Sequence, residues 1–78
     1  MAIYKVIKYP NYEEIGKNLP GTYFLMYEPD VEERAMIVGV DRMDTSFITS
    51  PILSIFKTAH GYDIGTMNSL YQLLRIEE

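Results

Sequence analysis

From Thr22 onward, short runs of β-branched and aromatic residues are cut at near-regular intervals by turn-forming residues. Side chains of that kind fit a pleated, half-buried surface. Proline, glycine and Asn/Asp end such runs because they preset or permit turn geometry. Thr22–Glu28 reads as a strand carrying Tyr23, Phe24, Leu25, Met26 and Tyr27, and Pro29-Asp30 turns the chain. Arg34–Arg42 reads as the next strand, with Met36, Val38 and Val40 alternating against Ala35, Gly39 and Asp41. A glycine inside such a run signals a bulge or a close backbone approach. Met43-Asp44 turns again and Thr45–Thr49 extends. Upstream, Ala2–Tyr9 is a further strand ended by Pro10, with apolar residues on both parities, so both of its faces are expected to be covered.

One segment breaks the pattern. Asn11 stands where a helix N-cap belongs, with Glu14 three residues on, which approximates a capping box. Tyr12, Ile15 and Leu19 follow at helical spacing. The spacing predicts one short amphipathic helix over Asn11–Asn18, weakened by Gly16 and stopped by Pro20-Gly21.

The last third supports two readings. Ser50-Pro51 suits a helix N-cap followed by proline at the first helical position. Ile52, Ile55, Phe56 and Ala59 have helical spacing, and Gly61 suits the residue after a helix. Alternatively Ile52–Thr58 is a strand with Ile52, Ser54, Phe56 and Thr58 on one face and a turn at His60-Gly61. Leu70, Leu73, Leu74 and Glu77 are likewise helical in spacing, or Leu70–Ile76 is the final strand after Tyr62–Met67 and an Asn68-Ser69 turn. Periodicity does not choose between helix and strand for residues 51–60 and 68–77.

Thr49-Ser50-Pro51-Ile52, an apolar run, and then Ile64-Gly65-Thr66-Met67-Asn68-Ser69-Leu70-Tyr71-Gln72-Leu73 resemble the closing part of small, uncharacterised β-rich proteins of phages and mobile elements. The resemblance covers about the last thirty residues and rests on a Thr-x-Asn-Ser-x-Tyr-x-Leu segment. It implies strands in the C-terminal third and, by analogy with phage products of this size, a role in occupying the surface of another protein. It implies no activity.

With 78 residues there is room for one core only, so residues 1–78 form a single domain. No linker, repeat or low-complexity tract divides it. The expected architecture is mainly β: a small antiparallel sheet or SH3-like barrel of five or six strands with the one short N-terminal helix. Ile7, Leu25, Ile37, Val38, Ile48, Ile55, Ile64 and Leu73 lie at strand centres and are the expected core.

Chemistry is sparse. There is no cysteine and one histidine, which removes thiol nucleophiles and thiolate metal sites. His60 precedes a glycine and reads as a solvated turn residue; a catalytic histidine needs an oriented nucleophile or carboxylate. The glycines are too scattered for a phosphate cradle, and Asp30–Glu33 lacks the spacing of a calcium loop. No catalytic residue, metal or cofactor is expected, and the chain reads as a non-enzyme. No apolar run reaches the length of a membrane span, and the N-terminus lacks a signal peptide's basic and apolar regions, so a cytoplasmic location is expected. A net charge of −4 disfavours phosphate-backbone binding.

Aromatic content stands out: seven tyrosines and three phenylalanines. Tyrosine joins a large apolar body to a polar tip, so roughly half are expected as core or wall. The surplus is a candidate interface, since tyrosine is enriched at binding hot spots. Tyr23, Tyr27, Tyr62 and Tyr71 are the candidate contacts, with a protein partner or a second copy in a homodimer as the expected occupant. Nucleic acid, stacked on exposed aromatics beside scattered Lys and Arg, is the alternative.

Overall fold

A computed structural model describes residues 1–77. Seven strands follow one another: β1 (Ile3–Pro10), β2 (Lys17–Asn18), β3 (Tyr23–Leu25), β4 (Arg34–Gly39), β5 (Phe47–Thr58), β6 (Gly61–Thr66) and β7 (Ser69–Glu77), with a single 3-10 turn at Met43–Thr45 before β5. Every pairing is antiparallel. β1, β3, β4, β5, β6 and β7 run in order around a closed barrel, and β7 returns to pair with β1 from Ile3↔Glu77 to Pro10↔Ser69. An even number of strands in an up-and-down meander lets first and last meet antiparallel. Closure removes the long unpaired edges that an open sheet would expose.

β2 is the extra strand, and it is better seen as the start of β3. Lys17 and Asn18 pair with Lys8 and Ile7, and Tyr23 pairs with Tyr4 further along the same edge of β1. Between them, the Leu19 N–H still donates to the Val6 carbonyl at 2.9 Å. Pro20 has no N–H to give, and Gly21 takes φ 79°. The ladder therefore breaks at this dipeptide and resumes two residues later.

The helix expected over Asn11–Asn18 is absent. Asn11 and Tyr12 both adopt left-handed φ, 54° and 59°, which no right-handed helix tolerates. Segment 11–16 instead folds back over the outside of the barrel. The Asn11 N–H donates to the Asn68 carbonyl at 2.8 Å, the Tyr12 hydroxyl donates to the Thr66 carbonyl, and Gly16 lies against Ile7 and Tyr9. Ile15, which a helix would have buried, is 84% exposed. An isolated helix this short is unfavourable in water, and tertiary anchors on β1, β6 and the turn after β6 outweigh its capping signal.

Residues 51–60 and 68–77 belong to β5 and β7 and the turn after β5, so the strand alternative holds in both places. β5 departs from simple alternation. The register shifts once against β4, where Arg34↔Pro51 gives way to Met36↔Ile48, and again against β6, where Ile52↔Thr66 gives way to Ser54↔Gly65. Each shift puts an extra residue into β5. Phe56 consequently faces outward, 68% exposed, rather than sharing the inner face of Ile52. At the first shift the Ala35 N–H loses its ladder carbonyl and donates to the Thr49 hydroxyl at 3.0 Å, while that hydroxyl donates to the Ser50 carbonyl at 2.8 Å.

Tyr4, Val6, Tyr23, Ala35, Ile37, Ile52, Tyr62, Ile64, Tyr71 and Leu73 fill the barrel, with Ala2, Leu19, Leu25, Phe47 and Ile55 packed at its margins. Of the expected core, Ile37, Ile64 and Leu73 are interior, Leu25 and Ile55 marginal, and Ile7 half-buried on the outer face. Val38 is buried but lies outside that cluster, on the outer face of β4. Ile48 is the exception at 54% exposed, because its cross-strand partner is the outward Met36.

Two tight turns close the last hairpins. Thr58 pairs with Gly61 across Ala59-His60. Gly61 sits at φ 143°, and a Cβ there would run into the Leu73 carbonyl. At Met67-Asn68 the buried Thr66 hydroxyl accepts the Ser69 N–H at 3.2 Å and donates to the Ser69 carbonyl at 3.0 Å. No helix among the described residues is long and apolar enough to cross a membrane.

Candidate functional site

Three of the four candidate contact tyrosines point into the barrel. Tyr23 is buried, and its hydroxyl donates to the Pro20 carbonyl at 2.8 Å. Tyr71 is buried, and Phe47 lies between the two rings, 6.0 Å from Tyr23 and 5.5 Å from Tyr71. Tyr62 is buried at the other end of the barrel, against Tyr4. Tyr27 alone is exposed, and its hydroxyl donates to the Arg34 carbonyl at 2.7 Å. The four therefore do not form one outer surface. Strand alternation explains it: Tyr23, Tyr62 and Tyr71 share inward parity with Leu25, Ile64 and Leu73.

His60 occupies the exposed turn between β5 and β6, where its N–H donates to the Thr58 hydroxyl and its carbonyl accepts from the Arg75 N–H. Thr66 and Ser69 lie at the far end of β6 from it. Among the described residues no three of His, Asp and Glu are grouped so as to hold a metal ion.

An apolar groove lies on the outside of β3, β4 and β5. Met26, Met36, Met43, Phe47 and Ile48 surround a groove of about 300 Å³, with Val38 and Ser46 also lining it. Val38, 3% exposed, is its floor. Met36 stands opposite Ile48 across the β4–β5 ladder, and the Met26 N–H donates to the Met36 carbonyl at 3.1 Å. The 3-10 turn brings Met43 over the other end. It packs closely there because Gly39 has no Cβ: one would meet the Arg42 carbonyl and the Thr45 hydroxyl. The glycine in β4 thus marks a close backbone approach, and the consequence is a methionine placed beside the groove.

The groove is flanked by acid. Segment 28–44 holds Glu28, Asp30, Glu32, Glu33, Asp41 and Asp44 against Arg34 and Arg42, a balance of −4 that equals the net charge of the whole chain. All six acids are exposed. Both arginines are engaged locally: Arg42 grips Asp44 through Nε and Nη2 at 3.1 and 2.7 Å, and Arg34 donates to the Thr49 carbonyl at 3.2 Å. The loops at the two ends of β4 therefore carry the acidic excess, and the apolar groove runs between them. This surface escaped the reading of the sequence, which took β4 as one alternating strand. The available signal was Ala35-Met36-Ile37-Val38, apolar on both parities, which announces a strand with something to cover on each face.

At one barrel mouth, Tyr62 donates from its hydroxyl to Glu28 Oε1 at 2.9 Å. Burial, reinforced by the Glu28 carboxylate it bonds, pushes the Tyr62 hydroxyl up to about 12. No protein-family model, no characterised protein and no solved structure matches this chain, so its function is argued from these surfaces alone.

Proposed function

We propose that this domain is a non-enzymatic protein-binding module that seats a basic, amphipathic segment of another protein in the groove of Met26, Met36, Met43 and Ile48. The observation that carries the reading is the coincidence of an adaptable apolar groove with the chain's whole acidic excess in the loops beside it. Methionine side chains are flexible and polarizable, and such surfaces accommodate varied apolar partners. Apolar anchors would fill the groove while flanking lysines or arginines meet Glu28–Glu33 on one side and Asp41–Asp44 on the other. Charge complementarity of this kind sets orientation and association rate. Kinship with SH3-like peptide-binding barrels is part of the proposal, as an analogy of size and strand content. Addition of a strand to an edge is disfavoured, because β7 returns to pair with β1 along its whole length and closes the sheet.

The test is selection from a peptide-display library on the folded domain, with Met26→Glu and Ile48→Glu as counter-targets. Both positions are 54% exposed, so the barrel tolerates the change. Enriched peptides are expected to share apolar positions flanked by Lys or Arg and to lose binding to both variants. Acidic or nucleic-acid ligands that bind both variants undiminished would overturn the reading. Light scattering across a concentration series tests the second-copy alternative. A dimer abolished by Met26→Glu would assign the groove to self-association instead.

A further inference from the structure

At the barrel mouth around Tyr62, three rings and one carboxylate surround a cavity of about 170 Å³ lined also by Met1, Ala2, Leu25 and Pro29. It shares no residue with the methionine groove. Tyr4 from β1 and Tyr62 from β6 form a corner, their ring centroids 6.2 Å apart and their planes inclined at 57°. Tyr27 supplies the third ring, tethered through its hydroxyl to the Arg34 carbonyl. Glu28 is the one charged side chain among the lining residues.

The chemistry of this lining selects its ligand. A carboxylate beside aromatic faces attracts a cation, since the face of each ring is the negative part of its quadrupole. The hydroxyl hydrogens of Tyr27 and Tyr62 are already spent on the Arg34 carbonyl and on Glu28, so an anion or a neutral acceptor finds those donors engaged. A plain ammonium would need acceptors for three N–H groups, and the Glu28 carboxylate is already bonded to the Tyr62 hydroxyl, with Ala2, Leu25 and Pro29 adding carbon beside it. An ammonium whose hydrogens are replaced by methyl groups needs none and still carries the charge. Tyr62 already draws one cation: Lys57 Nζ stands 5.9 Å from its ring centroid. Phosphocholine would bring a phosphate toward Glu28 and the acidic loop that follows it, whereas a methylated lysine brings no anion.

We propose that Tyr4, Tyr27, Tyr62 and Glu28 form a recognition pocket for a methylated ammonium, that of a methylated lysine side chain. The experiment titrates the full chain with Nε-trimethyllysine, lysine, phosphocholine and the uncharged isostere of choline, 3,3-dimethylbutanol, following tyrosine ring protons by NMR. Trimethyllysine is expected to bind saturably, shifting Tyr4, Tyr27 and Tyr62, and about tenfold more tightly than lysine or the uncharged isostere. Glu28→Gln and Tyr27→Leu, both at exposed positions, are each expected to weaken it by about tenfold. Equal affinity for the uncharged isostere, undiminished binding by both variants, or no shift at millimolar ligand overturns the proposal. Tighter binding of phosphocholine overturns the assignment to lysine. Tyr27 belongs neither to the groove nor to its acidic flank, so the outcome with Tyr27→Leu is separable from failure of the groove.

Discussion

The Tyr62 hydroxyl shows how one interior group ties stability to pH. Its folded value is pushed from 10.0 up to about 12, first by burial and then by the Glu28 carboxylate. The folded state thus holds this proton more tightly than the unfolded chain does. By linkage, the contribution is complete below pH 10 and is lost as pH rises from there through about 12. An ultraviolet titration should show a tyrosine step near pH 12, and Tyr62→Phe should remove that step. The melting temperature of the Phe variant should fall less steeply above pH 10 than that of the parent; identical slopes would refute the assignment. Thr49 makes a second case. Its hydroxyl, 1% exposed, accepts the Ala35 N–H and donates to the Ser50 carbonyl. Thr49→Val keeps the shape and strands both partners, which should cost about 2–3 kcal/mol in urea unfolding. A loss under about 0.5 kcal/mol would mean that water or a shifted backbone replaces the hydroxyl.

β5 explains why sequence periodicity misled in one place and was silent in another. Its two register shifts bring buried or core-packed side chains to Thr49, Ile52 and Ile55. A spacing of three in a bulged strand imitates a helix, which is why residues 51–60 support both readings. The expected helix at Asn11–Asn18 fails for the complementary reason. Its capping residues were read locally, but the Tyr12 hydroxyl finds its acceptor at Thr66, a pairing that no local window contains. What was legible is the punctuation: Pro10, Pro20-Gly21, Pro29-Asp30 and His60-Gly61 all fall at strand ends or turns. Glycines at such places differ in what they tolerate. Gly61→Ala forces a Cβ into the Leu73 carbonyl at φ 143° and should cost about 3 kcal/mol. Gly21→Ala, at φ 79° with only the Asp41 carboxylate at 4.0 Å, should cost about 1 kcal/mol, the backbone penalty alone. Equal losses in chemical denaturation would mean that the β6–β7 contact yields more readily than its geometry indicates.

For the whole molecule, the turns were readable one by one, but the inward face of each strand and the closing of the sheet were not: Ile7, Val38 and Ile48 were all expected inside and lie on the outer face. Nothing local tells β1 that its second neighbour is β7, and without that knowledge Ile48 and Ile37 look alike. The barrel separates them. Ile37→Ala and Ile64→Ala, both fully buried, should each cost about 2–5 kcal/mol. Ile48→Ala should cost under about 0.5 kcal/mol, and thermal melts of the three variants check the order. The same incompleteness hid the candidate site. Methionines at 26, 36 and 43 lie just after β3, in β4 and in the 3-10 turn, and only the fold reveals their common groove.

The seam between β1 and β7 sets Ile3 beside Glu77 along the ladder. In topological terms the polypeptide is a ring cut at one point, and the ladder does not record which peptide bond was left open. A circular permutant that joins residue 77 to residue 3 through a few glycines, and opens instead at the exposed Ala59-His60 turn, should rebuild the same six-strand cylinder. Its groove would then be made of strands in a new order of synthesis, since spatial adjacency, not covalent sequence, defines this architecture.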